Sequence, residues 1–298
     1  MQGMKRPSAP LRKYTPIMLV LPALLILLVL NIFPFIFSLY ASFTSLDLKT
    51  FGSEGMPFVG LENYVNILGD PVFQYSLMVT LEFTVLVVIV ELSVGLFLAL
   101  LLDQDLKGIG PARALLMIPM AISPVAVGLI FKIELQQEVG IFAYILSQYF
   151  NIIFLPLSDA YQALGMLVFV DSWMWSPFVA LVLLAGLRSV PQEQVEAANL
   201  DGASSVQVFR FVTVPAIRFQ IIVVLLLRTM DAFKIFDIVF LMTGGAPGNS
   251  TATTSYLIYR VSTQYLQVGR GSAMTYIMLV IIILISNLYI RGILERSK

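Results

Sequence analysis

Residues 196–217 read EAANLDGASSVQVFRFVTVPAI, and they separate two long apolar runs of the chain. The stretch carries charged, hydroxyl and small side chains, whereas the runs on either side are predominantly apolar. Polar backbone and side chains are unfavourable in hydrocarbon unless they are paired. The stretch therefore predicts a polar segment that joins two membrane helices and lies outside the bilayer.

The composition predicts a membrane protein. The chain has 298 residues, of which 58% are hydrophobic and 12% are charged, and its mean hydropathy is +0.90. A soluble domain has roughly 25% charged residues. Cysteine and histidine are absent from the sequence, which excludes disulfides, thiol nucleophiles, histidine-based triads and the usual zinc and haem sites. We therefore expect no enzymatic centre and no metal site in this chain, and its zero net charge gives no reason to expect a nucleic-acid partner.

Six apolar runs are long enough to cross about 30 Å of hydrocarbon. Open sheets cannot span lipid, and the runs lack the alternation of barrel strands, so we predict an all-α bundle of six transmembrane helices. We expect the first run to be a retained helix, because it is too long and too apolar for a simple cleaved signal peptide. The predicted spans are residues 17–40, 75–102, 112–133, 162–187, 217–242 and 272–292.

Basic residues predict the orientation of the bundle. They are concentrated before the first span, between the second and third, between the fourth and fifth, and after the sixth. By the positive-inside rule these segments face the cytoplasm. We therefore predict a cytoplasmic amino-terminal segment (residues 1–16), a helical domain (residues 17–292) with a cytoplasmic loop at residues 188–216, and a cytoplasmic tail (residues 293–298).

Local signals within the loop predict a rigid elbow of two short helices. Capping-box spacing occurs at residues 189–192 and again at residues 204–207, and each marks a helix start. Between them, Asp201 and Gly202 favour a turn, because glycine adopts positive φ at little steric cost. From these signals alone, the elbow either offers a close-fitting surface to a partner or simply joins two helices.

The spacing of the elbow residues resembles the signature of a known family. That signature is EAA, three residues, glycine, nine residues and then I-x-L-P, and here Val212 and Val214 replace the isoleucine and the leucine. The matching positions are Glu196, Ala197, Ala198, Gly202 and Pro215. The chain thus resembles the permease subunits of binding-protein-dependent ABC importers, in particular those of the maltose and multiple-sugar type. The resemblance implies that the first four matching residues couple the permease to an ATPase.

The resemblance extends over most of the chain. Other stretches that resemble sugar-importer permeases at matching places are FVGLENY (58–64), LRSVPQEQVEAANLDGAS (187–204), FKIFD (233–237) and TGGAPGN (243–249). Ala246 departs from that branch, which often has a third glycine there. The resemblance implies import of a carbohydrate, a di- or oligosaccharide, across the inner membrane of a prokaryotic cell.

The resemblance also implies partners. They would be a second, homologous permease, two ATP-binding cassette subunits and an extracytoplasmic solute-binding protein, in addition to the surrounding lipids. The sequence has no G-x-x-x-x-G-K-[ST] phosphate loop. ATP and Mg²⁺ are therefore expected on the ATPase subunits, and no cofactor is expected on this chain.

Charged residues within the predicted spans are candidates for the transport path, because isolated charges are unfavourable there. Four of them are predicted to lie at a similar depth, on the order of 10–17 Å from the outer ends of their helices at 1.5 Å per residue: Glu82, Asp171, Asp231 and Lys234. Trp173 and Trp175 lie slightly deeper. Their rings are suited to pack against the C–H face of a sugar, while carboxylates accept hydrogen bonds from its hydroxyls.

Alternatives remain open for these charges. Arg228, Asp231, Lys234 and Asp237 alternate in sign at i,i+3 spacing, so they are also suited to neutralise one another along one helix. Glu91 fits a buried structural hydrogen bond better than a path role. An ion-coupled secondary transporter would use the same intramembrane carboxylates, but it leaves the elbow without a purpose. A membrane scaffold without transport is a third reading.

Overall fold

The computed structural model describes residues 9–104, 108–136, 139–150 and 158–294. The start of the predicted amino-terminal segment (1–16) and most of the predicted tail (293–298) lie outside these ranges. Within the described ranges the regular structure is helical, apart from an isolated antiparallel bridge between Thr44 and Phe58.

The helices of the described chain are α1 (Ala9–Leu27), α2 (Phe33–Ser42), α3 (Phe51–Glu54), α4 (Glu62–Leu68), α5 (Pro71–Leu102), α6 (Ile109–Leu116), α7 (Ile118–Ala121), α8 (Pro124–Glu134), α9 (Ile141–Phe150), α10 (Ala160–Leu187), α11 (Gln192–Leu200), α12 (Ser205–Val208), α13 (Val214–Ala216), α14 (Arg218–Phe233), α15 (Thr254–Tyr259) and α16 (Val268–Leu294). Short π-helical turns lie at Leu28–Ile32, Phe209–Thr213, Val239–Thr243 and Arg260–Gln264. The first of these turns joins α1 and α2 into one continuous apolar helix.

The described helices provide six membrane spans when each bent pair is taken as one span, in agreement with the predicted bundle. The uninterrupted spans are Met18–Ser42, Pro71–Leu102, Ala160–Leu187 and Val268–Arg291. The bent pairs are Ile109–Ala121 with Pro124–Glu134, at 88°, and Ser205–Ala216 with Arg218–Phe233, at 66°. Pro124 accounts for the first bend, because a proline disfavours helical backbone in the residue before it.

Two compact units are present within the chain. One contains the described residues up to Ile67 together with Val261–Ile277. Within it, the side-chain amide of Asn63 donates hydrogen bonds to the carbonyls of Ser42 and Thr44, at 2.9 and 2.8 Å. The polar backbone that follows α2 is thereby paired inside the protein.

The other unit contains Leu68–Arg260 and the described chain from Met278 onward. Its core is formed chiefly by α5 and α10, which pack along each other and against α14. Buried side chains of this core include Phe83, Val87, Leu167, Val170, Met174 and Val239. This second unit holds the features that bear on function.

The contact between α5 and α10 depends on a close approach at Gly95. A methyl group added to Gly95 would lie 2.5 and 2.7 Å from side-chain atoms of Val179 and 3.2 Å from the backbone nitrogen of Ala180. Small residues allow membrane helices to approach in this way. Gly165 on α10 is the opposite case, since a methyl group there would meet nothing within 4 Å.

We expect Gly95→Ala to destabilise the protein by about 1–3 kcal/mol, because an overpacked contact forces side chains and backbone to shift. Gly165→Ala is the matched control and should leave stability unchanged or slightly raised, because alanine favours helix over glycine. Thermal unfolding of both variants in detergent measures the difference. Equal unfolding midpoints would contradict the close packing of α5 on α10.

Candidate functional site

A buried arginine links three helices of the second unit. The guanidinium of Arg228 on α14 donates two hydrogen bonds to Glu91 on α5, from Nε to Oε2 at 2.5 Å and from Nη2 to Oε1 at 2.7 Å. Nη2 also donates to Oδ2 of Asp171 on α10 at 2.7 Å. The three residues, here called the arginine cluster, are at most 4% exposed. Buried charges require such direct pairing, because desolvating an isolated ion is strongly unfavourable.

A cavity of about 260 Å³ lies beside the arginine cluster. Its lining includes Asp171, Trp175, Arg228, Asp231, Lys234 and Phe236, and we call it the membrane cavity. The Trp175 indole faces the arginine, with 5.0 Å from the ring centre to Cζ of Arg228, which is a cation–π distance. Asp231 has a side chain that is 56% exposed, and its carboxylate lies 3.5 Å from Nζ of Lys234. The cavity thus combines an aromatic face with an accessible carboxylate.

The fifth predicted span is broken at this cavity. A continuous helix over residues 217–242 was expected, but α14 ends at Phe233 and helical backbone returns at Asp237. The carbonyl of Ile235, within the break, accepts a hydrogen bond from the Thr253 hydroxyl at 3.2 Å. In a bilayer, non-helical backbone is tolerated only where protein buries it or where it lines a cavity. The break is therefore stable because the cavity and Thr253 adjoin it.

Four of the six residues predicted for the transport path line the membrane cavity: Asp171, Trp175, Asp231 and Lys234. Glu82 and Trp173 are not among its lining residues. Glu82 is exposed elsewhere on α5, and Trp173 packs edge-on against Phe131 and borders a separate apolar groove. A similar depth along a helix was not sufficient to bring these two to the cavity, because depth does not determine the direction in which a side chain points.

Arg228 and Phe236 also line the cavity, although neither is among the six residues predicted for the transport path. The alternation of charge along α14 predicts pairing within that helix, and the Asp231 carboxylate does lie 4.0 Å from Arg228 as well as 3.5 Å from Lys234. The shortest contacts of Arg228, however, are with α5 and α10, and the periodicity of one helix cannot reveal partners on others. Glu91 is found as a buried hydrogen-bonding partner, as its position predicts.

We expect Arg228→Met to destabilise the protein by about 3–5 kcal/mol, because it leaves two carboxylates buried side by side without a cation. The matched control is the triple variant Glu91→Gln, Asp171→Asn and Arg228→Met, which removes every charge of the arginine cluster and should recover much of the loss. The measurements are the yield of membrane-inserted protein and its thermal unfolding. If Arg228→Met were as stable as the triple variant, charge pairing within the arginine cluster would be contradicted.

The elbow is formed by α11 and α12, which meet at Gly202 as predicted. Gly202 has a φ of 80°, and its N–H donates to the carbonyl of Asn199 at 3.0 Å. The next N–H, of Ala203, donates to the carbonyl of Ala198 at 3.0 Å. These two bonds form a Schellman motif, in which glycine occupies the left-handed position without a steric penalty. The turn is therefore a defined structure and not a slack connection.

The two predicted capping boxes have different outcomes. Ser204 and Gln207 form one, with each side chain bonded to the backbone of the other. Ser189 does not form the other, because its hydroxyl donates to the carbonyl of Gly186 at 2.7 Å. Pro191 instead occupies the N-cap position of α11, without a side-chain cap. The last carbonyls of a helix lack intrahelical partners, so the end of α10 competes for this serine.

The elbow has an exposed surface that a partner can reach. Of the four residues predicted for coupling, Ala198 is half-buried, and the exposed ones are Glu196, Ala197 and Gly202. Leu200 and Val206 are 89% and 74% exposed, and Phe211 is 67% exposed. Exposed large apolar side chains mark a surface that contacts a protein or the membrane.

A polytopic helix bundle with a broken span, a charged cavity at the break and a rigid exposed elbow defines a membrane permease. Residues 92–297 match the family described as "Binding-protein-dependent transport system inner membrane component". The chain belongs to this family and is a multi-pass ABC transporter permease. The family gives no support to an ion-coupled secondary transporter.

Individual relatives cover nearly the whole chain. It is 35% identical over 276 residues to a probable ABC transporter permease protein y4oQ of Sinorhizobium fredii (93% of this chain, 89% of the relative). It is 35% identical over 282 residues to the trehalose/maltose transport system permease protein MalF of Thermococcus litoralis (92% of each). It is 31% identical over 285 residues to the sn-glycerol-3-phosphate transport system permease protein UgpA of Brucella suis (95% of this chain, 96% of the relative).

A solved structure shares the fold. The similar chain belongs to a bacterial alginate ABC transporter in complex with an alginate pentasaccharide-bound periplasmic protein. The TM-score is 0.77, with 93% of each chain covered and 20% sequence identity. At this identity the likeness shows the fold alone, and it agrees with the predicted all-α permease bundle.

Proposed function

We propose that this chain is the permease subunit of an ABC importer that carries a neutral di- or oligosaccharide into the cytoplasm. The observation that carries the proposal is the membrane cavity, where the Trp175 ring and the accessible Asp231 carboxylate meet at a break in the fifth span. Aromatic rings pack against the C–H faces of sugars, and carboxylates accept hydrogen bonds from their hydroxyls. The name of the relative for trehalose/maltose supports this substrate class.

The charges of the cavity favour a neutral substrate. Nε and Nη2 of Arg228 are already engaged by Glu91 and Asp171, and Lys234 is paired with Asp231. Phosphate recognition commonly uses an arginine whose donors are free for bidentate contact. A phosphorylated substrate, such as the one for which the Brucella suis relative is named, therefore fits these residues less well than an uncharged sugar.

ATP hydrolysis on partner subunits drives the proposed import. The elbow docks on one of two cytoplasmic ATP-binding cassette subunits, which bind ATP and Mg²⁺, while this chain holds no cofactor and catalyses no reaction. A second, homologous permease completes the path, and an extracytoplasmic solute-binding protein delivers the sugar. The location is the inner membrane of a prokaryotic cell, with the elbow and both termini in the cytoplasm. The family description and the periplasmic protein in complex with the similar alginate transporter support this assembly.

Substitutions at Gly202 test the coupling role. Gly202→Asn should preserve coupling, because asparagine tolerates the left-handed conformation. Gly202→Val should disrupt the turn, since a β-branched residue is strained at a φ of 80°, and we expect ATP-driven uptake to fall about tenfold, the equivalent of 1.4 kcal/mol. Uptake into proteoliposomes and retention of the ATPase during purification are the measurements. Equal uptake by the two variants would contradict coupling through this turn.

The path role of the membrane cavity is tested by replacing its accessible carboxylate. Asp231→Asn should lower the uptake of labelled maltose and trehalose about tenfold at equal protein abundance, because one charged acceptor for sugar hydroxyls is lost. Glu82→Gln is the matched control, since it neutralises an exposed carboxylate away from the cavity. Uptake lowered by Glu82→Gln and unaffected by Asp231→Asn would place the path elsewhere.

A further inference from the structure

Four aromatic rings form a continuous row that begins at the membrane cavity. Phe236 lines the cavity and stacks on Phe240, with ring centroids 5.3 Å apart and planes 11° from parallel. Tyr259 lies 5.2 Å from Phe236 and 5.1 Å from Phe240. Tyr256 extends the row, with its centroid 6.4 Å from Phe240 and 6.5 Å from Tyr259. We call these four side chains the aromatic row.

Three of the four rings are partly accessible, whereas Tyr256 is 7% exposed and belongs to the buried core. Phe240 is 37% exposed, and Phe236 and Tyr259 are half-buried. Phe233, at the end of α14, is 1% exposed and packs within a core cluster. Neighbouring phenylalanines of the same segment therefore differ sharply in accessibility. Packing in the core accounts for Phe233, for Tyr256 and for the buried faces of Phe236 and Tyr259, but it leaves the accessible faces of the row without a purpose.

The break in the fifth span produces the row. Phe236 and Phe240 are four residues apart across the point where helical backbone resumes, so their rings lie on one side. The tyrosines of the row come from α15, which is fixed at its first residue. The N–H of Thr254 donates to the Thr80 hydroxyl on α5 at 2.8 Å. Phe236 and Phe240 therefore lie on the segment that lines the cavity, and α5 holds the two tyrosines beside them.

The end of the row remote from the cavity is polar. The guanidinium carbon of Arg260 lies 5.9 Å from the ring centre of Tyr256, and its Nη1 donates to Oδ1 of Asn249 at 2.8 Å. Asn249 belongs to the loop that follows the broken span. From the loop towards the cavity, the protein thus presents polar side chains, then the aromatic row, and then a tryptophan and a carboxylate.

We propose that the aromatic row is the approach surface along which a sugar chain reaches the membrane cavity, and that it selects for sugars long enough to contact more than one ring. The inference rests on the proposed carbohydrate function. Neighbouring rings offer equivalent contacts to the C–H face of a sugar, so a substrate moves from one ring to the next without losing all contacts at once. A monosaccharide contacts a single ring, whereas a trisaccharide bridges several.

The test is the dependence of uptake on sugar length in the complete reconstituted transporter. With Phe240→Leu, we expect initial maltotriose uptake to fall about three- to tenfold and glucose uptake to fall less than twofold, since only the longer sugar bridges this ring and the cavity. Phe240→Trp should restore the wild-type ratio. A folding defect would lower all sugars alike, so the ratio separates recognition from structure. Phe97→Leu, which removes a 61% exposed ring on α5, is the control and should leave the ratio unchanged.

The outcomes separate this inference from the function on which it rests. Wild-type uptake of maltotriose with an unchanged ratio in Phe240→Leu would overturn the approach surface alone. Loss of the co-purifying second permease in that variant would also overturn it, because the row would then be a subunit interface. Failure of the wild-type transporter to take up glucose, maltose or maltotriose would count against the carbohydrate function itself.

Discussion

The pairing of one buried guanidinium with two carboxylates determines the arrangement of the second unit. Arg228 contacts Glu91 and Asp171 on two other helices, so the depth and rotation of α5, α10 and α14 are fixed at a single level. A helix displaced along its axis would leave an unpaired charge in hydrocarbon, which is strongly unfavourable. Because the arginine is held from the side of α5 and α10, the next turn of α14 presents Asp231 to the cavity, and Lys234 follows at the end of the helix.

The geometry of α14 suggests how movement at the elbow reaches the cavity. The helix has 16 residues, or about 24 Å at 1.5 Å per residue. A π-helical turn, α13 and the 66° bend lie between the elbow and the start of α14, and α14 ends at the break beside the cavity. In the proposed importer, a stiff helix between the elbow and the cavity transmits a displacement from one to the other, as in the rigid-body rocking of transporter domains.

The sequence was sufficient for the helical class, the number of spans and the turn of the elbow. Each of these depends on hydrophobicity or on local backbone chemistry, such as the positive φ at Gly202 or the box of Ser204 and Gln207. The break after Phe233 was missed although charged residues surround it (Asp231, Lys234 and Asp237), because hydropathy summed over a whole span does not distinguish a continuous helix from an interrupted one. The sequence also did not predict the partners of Arg228 or the location of Glu82 away from the cavity, because both depend on how separate helices face one another.

The long separation in sequence between members of the arginine cluster has a consequence for biosynthesis. Glu91 and Arg228 are 137 positions apart, so α5 leaves the ribosome and enters the bilayer before its counter-charge has been synthesised. A charge at the centre of an inserted helix costs about 2.5–3.5 kcal/mol, and the rest of α5 is apolar enough to offset it. The nascent chain therefore inserts α5 while the carboxyl group of Glu91 has no partner. When α14 follows during translation, Arg228 forms the ion pair that orders the helices already in the membrane.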